Sequence, residues 1–184
     1  MIESIGAGYI IGVMAHFYGR CNYPIIGAVL FGLGLLTICH CKLNLFTGKI
    51  GTSPIPKCLL ILLGNIFGVV VAIILLQFSP TTISNAIGCG VLMQMAVTLY
   101  EKYPWATVGC VAAFLLGGFK HCVAMLYNME MTVDYWVLFA ITVFWNGFGA
   151  IVTANLGVRK NVLVDAITTE NEKEGLTDVE RSIL

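Results

Sequence analysis

Residues 58–78, CLLILLGNIFGVVVAIILLQF, hold no charged side chain, and their reading decides the fold. A bilayer's hydrocarbon core is crossed by about 20 mainly apolar residues at about 1.5 Å rise each, so a run of this length reads as a spanning helix. Tyr135 to Val158 is a second uncharged run of the same kind. Outward from these, Ile5 to Tyr18, Pro24 to about Phe46, Ile83 to Tyr100 and Pro104 to about Met129 complete six expected spans. Lys42 interrupts the second and Lys120 the fifth. Composition agrees across the 184 residues: 58% hydrophobic, 11% charged, mean hydropathy +0.89. The expectation is an all-α integral membrane protein with a transmembrane domain over 1–158 and a solvated tail over 159–184.

Lysine and arginine between the spans give the orientation. Lys49, Lys57, Lys102, Arg159 and Lys160 fall on one side, whereas the other carries Arg20, Glu130 and Asp134. Both termini are therefore expected in the cytoplasm and the protein in the cell (inner) membrane. Trp105, Trp136, Tyr103 and Tyr135 stand near span ends, as amphipathic rings do at headgroup level. Met1-Ile2-Glu3 offers no positive region for a cleaved leader. In the tail, Thr177-Asp178-Val179-Glu180 reads as a short capping box.

An internal repeat follows from sliding the chain on itself by about 81 to 83 residues. Phe31-Gly32-Leu33-Gly34 then overlies Phe114-Leu115-Leu116-Gly117, and Gly64-Asn65-Ile66-Phe67-Gly68 overlies Trp145-Asn146-Gly147-Phe148-Gly149. The halves, about 5–79 and 83–158, have three crossings each, and an odd number inverts the second against the first. Spans two and five are expected to be broken helices at Lys42-Leu43-Asn44-Leu45-Phe46-Thr47 and at Lys120-His121. Irregular backbone survives at membrane depth only inside protein or against water, so both breaks are expected to line a conduit. The ionisable groups expected at depth are Lys42, Lys120, His121, His40 and His16, with no carboxylate, which favours an anion path. Asn65 and Asn146, flanked by glycines, read as helix-to-helix hydrogen-bonding residues.

These residues resemble the formate/nitrite transporter family over roughly residues 6 to 158. The likeness rests on Phe31-Gly32-Leu33-Gly34-Leu35, Leu45-Phe46-Thr47-Gly48, Gly64-Asn65-Ile66-Phe67-Gly68, Ala86-Ile87-Gly88-Cys89-Gly90-Val91-Leu92, Gly118-Phe119-Lys120-His121-Cys122-Val123-Ala124 and Asn146-Gly147-Phe148-Gly149, in that order. The resemblance implies an aquaporin-like six-helix fold, assembled as a homopentamer with one pore per protomer, that passes small monovalent anions of weak acids. By position it makes Phe31 and Phe114 narrow one side of the pore and Leu35, Leu45 and Phe46 the other, with His121 facing Thr47 between them. Gly90 stands where most members have Asn, Lys120 where they have Glu, and Lys42 where a small residue is common. These departures remove an amide and add positive charge, which leans toward the hydrosulfide-like branch.

A bare anion crossing two apolar constrictions suffers a desolvation penalty of several kcal/mol, and the protonated acid much less. Histidine ordinarily titrates near neutral pH, so His121 suits a midpoint donor. Other readings stay open. Lys42 and Lys120 either face the conduit or snorkel to other partners, and His16 and His40 suit packing or interfaces. Cys39, His40, Cys41, His121 and Cys122 admit a membrane redox or metal-binding protein. A neutral-solute channel of aquaporin type is the other rival, although no Asn-Pro-Ala pair occurs. Neighbours on a helix point about 100° apart, so Cys39-His40-Cys41 would not share a metal unaided. Most of the seven cysteines fall in apolar runs, where they act as small hydrophobes. No dinucleotide, P-loop or nucleophile–base signature occurs, so no enzyme, cofactor or nucleic-acid partner is expected.

Overall fold

The computed structural model describes residues 1–116 and 118–158, and these are helical with no strand among them. Eight α-helices follow in order: α1 Ile2–Arg20, α2 Pro24–His40, α3 Phe46–Lys49, α4 Ile55–Leu76, α5 Thr81–Tyr100, α6 Pro104–Leu116, α7 Cys122–Met125 and α8 Val133–Thr153. A 3-10 turn, Leu126–Asn128, follows α7, and a π-helical turn, Ala154–Val158, extends α8. The tail after Val158, with Arg159, Lys160 and the expected capping box at Thr177, lies outside the described residues.

Local sequence sets the boundaries. Pro24 and Pro104 open α2 and α6, and Pro54 and Pro80 stand just ahead of α4 and α5, where a missing N–H costs nothing. Thr132 caps α8, its Oγ1 accepting from the Tyr135 N–H at 3.3 Å. With 22 residues, α4 is about 33 Å long, close to the thickness of a hydrocarbon core.

Three helices are long and apolar enough to span a membrane: Ile55–Leu76, Thr81–Tyr100 and Val133–Leu156. Of the six expected spans, the other three differ for physical reasons. Helices α2 and α6 are apolar but only 17 and 13 residues long, because each stops at a chain break. Helix α1 has 19 residues but is diluted by Gly6, Gly8, Gly12, His16 and Arg20.

Burial explains how α1 tolerates that dilution. Tyr9, Ile10, Val13 and Met14 of α1 and Ile87, Val91, Leu92 and Met95 of α5 are fully enclosed and form the middle of the core. Packing is paired: α1 lies most extensively on α4 and next on α2, while α5 lies on α8 and next on α6. The outer helices turn large apolar side chains outward, among them Leu63 and Phe67 of α4 and Val137 and Phe144 of α8. Such a surface suits lipid or another protein chain, not water.

Both main crossings depend on glycine. A Cβ on Gly8 would fall on the Asn65 carbonyl oxygen, and one on Gly68 would fall on that of Ile5. The α5–α8 crossing repeats the arrangement, with Gly90 against the Asn146 carbonyl and Gly149 against that of Ile87. Backbones this close leave no room for any side chain.

Candidate functional site

The chain breaks between α2 and α3 and between α6 and α7 are built alike. After α2, the Leu43 N–H reaches the Ile38 carbonyl at 3.0 Å and the Lys42 N–H that of Cys39 at 3.2 Å. After α6, the Phe119 N–H reaches the Phe114 carbonyl at 3.2 Å and the Gly118 N–H that of Leu115 at 3.3 Å. This is the Schellman closure, which needs a left-handed residue just past the helix. Lys42, at φ 53°, and Gly118, at φ 67°, supply it.

Beyond each closure the chain is clamped by one asparagine. Asn65 Nδ2 donates to the Ser4 carbonyl at 2.7 Å and the Asn44 carbonyl at 2.9 Å, and its Oδ1 accepts from the Phe46 N–H at 2.8 Å. Asn146 Nδ2 donates to the carbonyls of Ala86 at 2.9 Å and Lys120 at 3.0 Å, and its Oδ1 accepts from the Cys122 N–H at 2.9 Å. Both amide donors and the acceptor are used, which fixes each side chain's orientation. The helix-to-helix bonds expected of these residues are there, through Ser4 and Ala86. The clamping of the breaks is an addition: the first amides of α3 and α7 are held by asparagine oxygen.

Around the first break, Leu35, Lys42, Leu45 and Thr47 line one open depression of about 530 Å3, together with Cys39 and Lys49. Phe31 precedes Leu35 by one turn, and both are outward-facing on α2. Phe46 is half-buried and begins α3. The Asn44 side chain donates to Glu3 Oε2 at 2.6 Å, tying this break to the start of α1.

At the second break, His121 takes the N-cap position of α7 that Leu45 takes in α3, and only His121 caps with its side chain. Its Nδ1 accepts from the Ala124 N–H at 3.4 Å, so in the neutral ring the proton sits on Nε2 and makes that atom a donor. The buried Phe114 ring meets the imidazole edge-on at 6.1 Å between centroids. The Lys120 side chain is exposed, while its carbonyl belongs to the Asn146 clamp. Tyr135 Oη donates to the Met125 carbonyl at 2.5 Å and ties α7 to α8.

The expected site residues thus fall into two groups, one per break. Thr47 lies in the first and His121 in the second. Gly90 lies with neither, since it is buried in the α5–α8 crossing under the Asn146 carbonyl. The soft-ligand set does not converge: among the described residues no three His, Cys, Asp or Glu side chains come together closely enough to hold a metal ion. Sequence reading missed the left-handed closures and a polar cluster of His16, Arg20 and Ser84. The four-residue spacing of His16 and Arg20, which puts both on one helix face, was the available signal.

The fold defines a class, an all-helical chain with three helices apolar and long enough to cross a bilayer. No protein-family model matches the chain, and no curated protein or solved structure does.

Proposed function

We propose that this chain is a passive or proton-coupled channel for small monovalent anions of weak acids, such as formate, nitrite or hydrosulfide. In this reading its six spans form two inverted three-helix repeats in the cell membrane, with both termini cytoplasmic, assembled as a pentamer as the family resemblance implies. The observation that carries the reading is the duplicated clamp: Asn65 and Asn146 make the same three bonds at two helix breaks. A soluble fold has no need of two such clamped breaks, whereas a membrane conduit needs fixed irregular backbone along its path.

The chemistry runs from the outside inward and is symmetric for the reverse flux. Phe31 and Phe114 narrow one end, and Leu35, Leu45 and Phe46 narrow the other. Lys42 and Lys120 raise the local anion concentration. Desolvation at the apolar narrowings disfavours the bare anion by several kcal/mol, so the species that passes is the neutral acid. His121 donates a hydrogen bond through Nε2–H to the anion opposite Thr47, and the proton that neutralises the anion is taken from bulk water and leaves with the acid.

Reconstituted vesicles test this. Uptake of formate, nitrite, hydrosulfide and chloride is measured at several pH values for wild type and His121→Ala. Weak-acid anions are expected to enter faster than chloride, and the variant to lose most of that flux. Vesicles impermeable to every weak acid, or a variant transporting like wild type, would overturn the reading.

A further inference from the structure

Apart from both breaks, the end of α1 carries a second polar cluster. His16 and Arg20 lie one turn apart, and Ser84 reaches them from the first turns of α5. Arg20 Nη1 is 3.5 Å and Ser84 Oγ 3.3 Å from His16 Nε2. Beside them is a cavity of about 130 Å3, with His16, Arg20, Cys21 and Asn85 on its polar side and Phe17 and Phe119 as its apolar wall. The two phenylalanine rings pack at 4.5 Å between centroids, closing that wall.

The charge is one-sided. A guanidinium keeps its proton at any pH a protein meets and offers five N–H donors in a fixed fork. One of those donors is directed at His16, a neighbour with no negative charge to give. The acids of the described residues stand elsewhere: Glu3 at the opposite end of α1 against Asn44, Glu101 past the far end of α5, Glu130 ahead of α8 and Asp134 in the first turn of α8. Among the described residues none of them pairs with Arg20. The positive end of α5 adds potential of the same sign and offsets the negative end of α1. A cavity with a guanidinium at its edge, an amide donor and, among the described residues, no counter-charge is complementary to a small anion.

We propose that this cavity binds one small monovalent anion, a halide or small oxyanion, which ties the C-terminal end of α1 to the N-terminal end of α5. The site stands independently of the transport reading. A lipid phosphate shares the same chemistry, so the test separates the two sources.

Full-length protein is purified in lipid-free detergent, and its thermal unfolding is followed while bromide replaces gluconate at constant ionic strength. Bromide is expected to raise the midpoint saturably. Arg20→Gln is expected to raise the half-effect concentration about tenfold or more, since it removes a charge-assisted bond. Asn85→Leu should shift it in the same direction, and Lys102→Gln should leave it unchanged. Crystals grown in bromide should show its anomalous peak beside Arg20. An equal bromide effect in wild type and Arg20→Gln, stabilisation by phosphatidylglycerol but not by bromide, or wild-type crystals without the peak would each overturn the proposal. Should Arg20→Gln fail to fold, Asn85→Leu and the anomalous peak decide.

Discussion

At His121 two roles meet in one ring under the proposed function, because Nδ1 caps α7 and leaves Nε2–H to the proposed substrate. Substitution can separate them. Asparagine is a good helix cap but lacks the ring Nε2–H, so His121→Asn should leave thermal stability within about 0.5 kcal/mol of wild type while sharply lowering weak-acid flux. His121→Ala should lose the same flux and about 1 kcal/mol of stability as well. Parallel melting and vesicle uptake measurements check both. Asn146 calls for a different substitution. Aspartate keeps the acceptor for the Cys122 N–H but presents oxygen to the carbonyls of Ala86 and Lys120, which now receive N–H bonds. Loss of two buried bonds should cost about 2–5 kcal/mol in detergent unfolding, no less than Asn146→Ala. An Asn146→Asp protein as stable as wild type would show that the clamp carries no energy.

Among the elements, the breaks are the parts whose existence could be read in advance but whose construction could not. Lys42 and Lys120 interrupt apolar runs, and that interruption is a one-dimensional signal. The handedness of the closure is not, because the first break uses a lysine where glycine is usual and so hides its left-handed turn. Gly118 does that work in the second break, and Gly118→Ala should cost about 1–2 kcal/mol by forcing a Cβ into left-handed backbone. Differential scanning of the purified variant measures it. The asparagines were legible as polar residues between glycines, yet their partners are backbone groups far along the chain, which no local pattern encodes. Gly90 shows the reverse case. The family resemblance placed it in the conduit, but the contact that excludes a side chain there is the α8 backbone. Gly90→Ala should therefore pry α5 from α8 and destabilise by about 1–3 kcal/mol, read in the same unfolding assay.

For the molecule as a whole, apolar composition announced a membrane setting, and the helices long enough to cross one are those with the most outward-facing apolar area, α4 and α8, together with the enclosed α5. Hydropathy does not report the neighbour: α5 passes although protein encloses it, and α1 reads weakly because Glu3, His16, Arg20 and its glycines dilute it. Function at this scale is a statement about flux. Above the pKa of a weak acid, each unit of acidification raises its neutral fraction about tenfold, so uptake by the proposed route should rise steeply as the outer solution is acidified. Chloride, whose acid is never neutral in water, should show no such rise in the same vesicles. Equal pH profiles for formate and chloride would argue for a simple anion pore.

The enclosure of α1 also bears on how the chain is made. A segment holding Glu3, His16 and Arg20 gains little from acyl chains alone, because charged residues near a helix's ends and a polar one within it weaken partition from the translocon. Its glycine face is completed only when α4 arrives with Gly68 and Asn65. Biogenesis should then be cooperative: the earlier helix waits at the insertion machinery until the later, greasier one leaves with it. A nascent chain cut short before Pro24 should be extractable from microsomes by alkali, and one extended past Leu76 should resist.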